Sequence, residues 1–327
     1  MTKAGKIIVG VDPHAASRAA VTIAARLAAA QDVTLELFTP VYNSQVSLAR
    51  FETRESLQHA RETLVRRHRE RLEEMSAELG LGDDVECHAA WDHPLEEALI
   101  RRVLTEGAGL LVAALPEGQA TGGRPLSSAQ WQLVRHCPSP VLLTRGRPWS
   151  KKPVVVAAID PSGRHGRSDE LDIRILQEAE KVAVAGGGVI HAFHAWQRSL
   201  RAMIGELEAP LAPDLPEYQT LRQHRELVYT ALGAADASPA RVSLVEGRPE
   251  VTLPRYCHEI GADLVVMGAI QRNPFGRIFI GSTAERVLEQ LPCDLMVVKP
   301  ETFRTPVPRE RWPREDAGPP VIGVPGI

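Results

Sequence analysis

The chain has 327 residues, 44% of them hydrophobic and 24% charged, with a formal net charge of −3. That balance is ordinary for a globular protein and excludes a sequence-wide electrostatic pull toward nucleic acid or anionic lipid. The length suits two units of roughly 150 residues, each able to bury its own core.

Lys6-Ile-Ile-Val-Gly-Val-Asp12-Pro13 is a short apolar run, predicted as a strand over 6–11. No apolar leader precedes it, and no stretch approaches the roughly 20 apolar residues that a membrane helix needs. A cytoplasmic protein is therefore expected. A helix over 15–30, a strand over 33–39 and a long helix over 48–80 follow. Residues 50–74 are rich in Arg and Glu of alternating sign, with Glu62 and Arg66 four apart, which reads as a solvated helix face rather than a nucleic-acid surface. Next come a strand over 84–90, a helix over 94–107, a strand over 110–114, a helix over 127–136 and a strand over 140–144. Pro94 is expected at a first helical position, as is Pro249 in the second half. Short apolar strands alternating with helices imply a parallel sheet covered on both faces. Right-handed crossovers then leave a doubly wound topology.

After a polar linker at 145–152 the pattern restarts with Lys152-Pro-Val-Val-Val-Ala-Ala-Ile-Asp160-Pro161. Gly186, Gly187 and Gly188 stop the helix that follows. The ends of the two halves match at an offset of 154 residues. Gly107-Ala108 answers Gly261-Ala262, Leu110 answers Leu264, and Pro138 answers Pro292. The chain is thus α/β, with two tandem doubly wound parallel five-stranded sheets over 1–147 and 148–305. A Pro-rich tail over 306–327 reads as extended.

Cys87, Cys137, Cys257 and Cys293 form no CxxC pair and have no metal-ligand spacing with histidine, so they read as reduced thiols. His191 and His194, three apart on a strand, point to opposite faces and cannot chelate together, so no metal site is expected. Neither a Walker A loop nor a Gly-x-Ser-x-Gly elbow is present, and Asp12 and Asp160 belong to separate units. No catalytic residue is expected.

Ligands of an open parallel sheet sit beyond the carboxyl ends of its strands. Asp12 and Asp160 lie there, and so does the loop after Met267 in the second unit. Gly268 would let a ligand approach the backbone. Gly281-Ser282-Thr283 opens the last helix, where free N–H groups and the macrodipole favour phosphate, and Arg272 or Arg277 would add charge. On the other reading, Ser282 or Thr283 caps the helix and Gly281 makes the turn. Both readings stand.

The stretch Gly268–Val298 resembles the signature of the universal stress protein A superfamily: glycine, two residues, glycine, nine residues, then glycine with Ser or Thr. Gly268 and Gly281-Ser282 occupy the first and last places, and Gln271 replaces the middle glycine. The family's adenine-contacting aspartate maps to Asp160. In the first unit Asp12 survives, Ala114 replaces the glycine, and Ser127-Ser128 stand at Gly281-Ser282, so ATP is not expected there. Phe38-Thr-Pro40-Val-Tyr42, Trp91-Asp-His93-Pro94 and Trp131-Gln-Leu-Val-Arg135 resemble its tandem members. The resemblance implies a Rossmann-like universal stress protein fold. It implies a non-enzymatic stress-response protein that acts through protein partners. The ligand would be small, phosphorylated or amphipathic, ATP being one such ligand, and held by Asp160, Pro161, Gly268, Gln271, Arg272, Gly281, Ser282 and Thr283. It also implies that Val141–Thr144 pairs with Leu295–Val298 within one chain, as an intrachain pseudo-dimer, and it leaves a homodimer open. A slow ATPase or phosphotransferase using Gly281-Ser282-Thr283, and a purely structural interaction module, are the competing readings.

Overall fold

The computed structural model describes residues 5–11, 17–48, 53–82, 84–115, 126–162, 169–197, 221–269, 286–287 and 290–310. The first half runs β1 (Lys6–Gly10), α1 (Arg18–Gln31), β2 (Thr34–Val41), α2 (Ser44–Leu48), α3 (Arg54–Glu78), β3 (Glu86–Trp91), α4 (Leu95–Glu106), β4 (Leu110–Ala114), α5 (Ser128–His136) and β5 (Val141–Thr144). The second runs β6 (Val154–Ala158), α6 (Asp169–Ala185), β7 (Val189–Trp196), α7 (Leu221–Ala234), β8 (Arg241–Glu246), α8 (Pro249–Ile260), β9 (Leu264–Gly268) and β10 (Asp294–Val298).

Two expectations need correction. The helix expected over 48–80 is two helices, and α3 starts afresh at Thr53, whose hydroxyl accepts the Ser56 N–H at 3.1 Å. Pro94 is the N-cap of α4 rather than its first helical residue. Its backbone is extended (φ −69°, ψ 159°), and its carbonyl takes the first helical bond from the Ala98 N–H. Pro249 does stand inside the first turn of α8. The charged helix α3 is solvated as expected, burying only Leu72 and Ser76. Arg69 pairs with Glu73 at 3.3 Å, while Glu62 accepts from Gln58 instead of pairing with Arg66. Gly187 ends α6 with φ +59°, a conformation that glycine adopts without the Cβ penalty.

Among the described residues all ten strands share one sheet, in the order β3-β2-β1-β4-β5-β10-β9-β6-β7-β8. Within each half the pairing is parallel. At the centre β5 and β10 pair antiparallel, with Leu143 opposite Leu295, Leu142 opposite Met296 and Val141 opposite Val297. The intrachain pairing of the two closing strands is therefore present. The central strands read as continuous apolar runs because both faces are covered. One core layer holds Ile7, Val9, Val112, Leu142, Val155, Ala157, Val266 and Met296 under α1, α3, α6 and α7, and it runs unbroken across the seam. The opposite layer holds Ile8, Leu111, Leu143, Val156, Val265 and Leu295 under α4, α5 and α8.

The linker is tied down on both sides. Arg26 of α1 donates to the carbonyls of Ser150 (3.2 Å), Lys151 (2.9 Å) and Gly186. Ser150 N–H and hydroxyl, and the Val154 N–H, converge on the Asp263 carboxylate, each at 2.9 Å. Past β10, Phe303 and Val307 are buried in the second core layer, so the start of the tail lies on the body of the protein. Residues 311–327 lie outside the described ones. Among the described residues no helix is long and apolar enough to cross a membrane.

Candidate functional site

In each half the strand order reverses beside the first strand. β1 lies between β2 and β4, and β6 between β7 and β9. Crossovers therefore leave β1 and β4, or β6 and β9, on opposite faces, and a crevice opens at their carboxyl ends. Because the halves meet antiparallel, the two crevices open on opposite rims of the sheet.

Asp160 follows β6 at this switch point, next to the end of β9, since Ala158 stands opposite Met267. Its carboxylate is not buried; the side chain keeps 24% of its exposure. Ser162 donates its hydroxyl to Asp160 Oδ1 at 2.6 Å, and the Asp160 N–H donates to the buried Asp172 carboxylate of α6 at 3.0 Å. The loop is thus held on one side by α6 while the carboxylate stays partly exposed. Pro161 lies in the turn that follows.

Gly268 is the last residue of β9, and it too has a packing reason to be glycine. A Cβ there would stand 2.7 Å from Leu171 Cδ2 and 3.1 Å from Ile175 Cδ1, both on α6. Side chains of α6 therefore pack where a Cβ would stand. Gln271, Arg272, Gly281, Ser282 and Thr283 lie outside the described residues, as does Asp12 in the first half.

In the first half Ala114 ends β4, and Ser127 caps α5. The Ser127 hydroxyl accepts the Gln130 N–H at 3.3 Å, and the Gln130 side chain accepts the Ser127 N–H at 2.8 Å. This reciprocal box occupies two of the donors an anion would use. Ser128 is exposed beside it.

Two histidines near Asp160 were not expected as site residues. His194 of β7 and His224 of α7 are both buried, with Nε2 and Nδ1 2.8 Å apart. His194 Nδ1 lies 3.1 Å from the Ile159 carbonyl and 3.9 Å from Asp160 Oδ1. Sequence reasoning considered His194 only with His191. As expected, the two occupy opposite faces, and His191 meets the Tyr256 hydroxyl of α8 at 3.2 Å. A histidine in the last turn of a strand beside the switch point is a usable signal for His194. No local pattern points to His224, which a helix brings in from thirty residues away.

A second polar cluster lies at the amino ends of the first-half strands, away from that half's crevice. Lys6 Nζ donates to Glu36 (2.9 Å), Glu86 (2.8 Å) and Glu106 (2.7 Å), and Arg102 clasps Glu36 with two nitrogens. Burial pulls the Lys6 ammonium down, but the bonds to Glu106, Glu86 and Glu36 outweigh it and hold it above the ordinary lysine value. Glu36, Glu86 and His88 come close enough to hold a metal ion, yet Lys6 and Arg102 already answer these carboxylates. The cluster ties β1, β2, β3 and α4 together.

The model of the universal stress protein family matches residues 3–145 and again 154–299. Universal stress protein E of Photorhabdus laumondii is 24% identical over 304 residues, covering 92% of this chain and 96% of that protein. The homologous protein of Haemophilus influenzae is 24% identical over 311 residues, covering 90% and 97%. Among solved structures, a functionally unknown protein from Pseudomonas aeruginosa PAO1 superposes with a TM-score of 0.65 at 23% identity, covering 91% of this chain and 93% of that one. A universal stress protein from Archaeoglobus fulgidus gives 0.58 at 15% identity, covering 90% and 98%.

Proposed function

We propose, from the premise that this chain belongs to the universal stress protein family, that it is a cytoplasmic stress-response protein whose second half binds a small phosphorylated or amphipathic ligand. It acts by changing its contacts with protein partners rather than by catalysis. One observation carries this reading: Asp160 presents a partly exposed, braced carboxylate at the switch point between β6 and β9. A carboxylate placed so can accept from an amino or hydroxyl group of a ligand whose anionic end reaches toward the following loop. Gln271, Arg272, Gly281, Ser282 and Thr283 supply that loop's polar groups.

The first half is a scaffold on this view, because the Ser127 box already uses the helix-start donors. Close to Asp160, His194 Nδ1 lies 3.9 Å from its Oδ1, with the other His194 nitrogen against His224.

Native mass spectrometry of the purified chain, with titration calorimetry using ATP, tests the reading. A ligand or ATP bound at one equivalent, lost in Asp160→Ala and kept in Ser127→Ala, is the expected outcome. A chain that binds nothing of any class sinks it. Phosphate release that Ser282→Ala removes would instead favour a slow ATPase.

A further inference from the structure

Beneath the linker, at the amino ends of β9 and β10, lies a cavity of about 260 Å³. It is on the rim opposite the Asp160 crevice. Arg145, Trp149, His258 and Asp263 line it, and so do Cys257 and Cys293. Cys257 sits in the last turn of α8 and is 0% exposed; Cys293 immediately precedes β10 and is 6% exposed. Their backbones are pinned. The Ala262 N–H donates to the Cys257 carbonyl at 2.9 Å, and Arg145 Nε donates to the Cys293 carbonyl at 3.0 Å. The two thiols, far apart in sequence, share one small chamber.

Among the described residues, the only three-donor group at metal-binding distances is Glu36, Glu86 and His88. No third described donor joins the two sulfurs, which makes them a poor cage for a metal ion. The two thiols also hydrogen-bond one another, the proximity that a disulfide requires.

We propose that Cys257 and Cys293 are a redox-active dithiol that closes to an intramolecular disulfide when a peroxide enters this cavity. One thiol gives up its proton and its sulfur attacks a peroxide oxygen. The O–O bond breaks, water leaves, and a sulfenic acid remains. The second sulfur attacks the sulfenic sulfur and the S–S bond forms. The hydroxyl departs as water with the second thiol's proton. Two thiols and one hydrogen peroxide become one disulfide and two waters; sulfur is oxidised and peroxide oxygen reduced.

The Cys257 thiol, together with burial and the Asp294 charge, holds the Cys293 thiol well above its ordinary value. Thiolate is therefore scarce near neutrality, and the pair responds to sustained rather than brief exposure. Closure also reaches the linker. Cys293 and Asp294 are what Arg145 and Trp149 hold, with the Trp149 indole N–H on Asp294 at 2.7 Å.

Peptide mapping of the full chain decides the matter. The wild-type protein is treated with hydrogen peroxide at pH 7 and at pH 9, quenched, alkylated and digested. The expected product links the Cys257 and Cys293 peptides with loss of two hydrogens, while Cys87 and Cys137 are alkylated singly. It reverts with dithiothreitol, and its rate rises about tenfold for each unit by which pH increases toward the thiol pKa. Cys257→Ala should remove it, and if that variant does not fold the wild-type map alone decides. Separate alkylation of both thiols after full treatment overturns the proposal. So does sulfinic acid at either one, or linkage to another cysteine.

Discussion

Lys299 and Arg145 stand 154 residues apart, the offset of the repeat, and each follows the closing strand of its half. Arg145 is answered: its backbone N–H donates to Asp294 Oδ1 at 2.7 Å and its side-chain Nε donates to the Cys293 carbonyl. The counterparts of Asp294 and Cys293 are Pro140 and Ser139. Pro140 has no carboxylate, and Ser139 spends its hydroxyl on the Ala108 carbonyl. Lys299 is 0% exposed; among the described residues its Nζ has no hydrogen-bond partner, and the Phe303 ring lies 5.4 Å away. Burial pushes its ammonium down from 10.5 to about 8. Between those values the unfolded chain keeps the proton and the folded chain does not, so this residue makes stability rise with pH from about 8 to about 10.5. Below that window the penalty is present in full. Lys299→Met should therefore stabilise the protein at pH 7 by about 3 kcal/mol. The gain over wild type should shrink through that window, as urea melts at several pH values would show. Gly268→Ala should destabilise by about 1–3 kcal/mol with no ligand present, because Leu171 occupies the Cβ position. Unchanged melting would mean that α6 does not require the glycine.

Helix starts carry the next level. Thr53 and Ser127 each give a side-chain oxygen to a backbone N–H three residues on, and α3, with little apolar surface to bury, depends on its cap more than α5 does. Thr53→Ala should cost about 1 kcal/mol of stability. It should also raise hydrogen exchange through the first turn of α3 while leaving ligand binding untouched. At the amino ends of the strands, Lys6 joins β1 to carboxylates from β2, β3 and α4. Glu36, 0% exposed, is neutralised there by both Lys6 and Arg102. Removing one partner of such a buried group leaves the others uncompensated. Lys6→Met should lower stability by about 3 kcal/mol or more, read by chemical melts.

At the scale of the whole chain, the antiparallel pairing of β5 with β10 covers two edges that would otherwise invite another strand. Arg26 and the Asp263 cluster bind the linker across the same junction. The halves 1–147 and 148–310, produced separately, should combine into a one-to-one complex in sedimentation experiments. Each alone should self-associate through its free closing strand. Halves that stay monomeric alone and together would show that the edge needs no cover. Asp294, on β10 at this junction, is pushed up to about 6 by burial, against hydrogen bonds from Arg145 and Trp149. A carboxyl raised in the folded state stabilises at low pH and loses that contribution as pH rises through about 6.

The duplication, the alternation of strand and helix, the closing-strand offset and the place of Asp160 were all legible in the sequence. Each is written in local apolar period or in a repeat of residue types. The split of the charged helix at Thr53 was less legible, because alternating charge looks the same across a short break. What only the tertiary structure decided is what contact between distant segments creates. His224 came to His194 and Cys257 to the chamber of Cys293 through crossovers that no spacing records. Lys299 is buried with no hydrogen-bond partner for its Nζ among the described residues, and no local pattern records that. Sequence period determines which face of an element is buried, whereas the identity of the neighbour on that face follows from strand order and from the antiparallel seam.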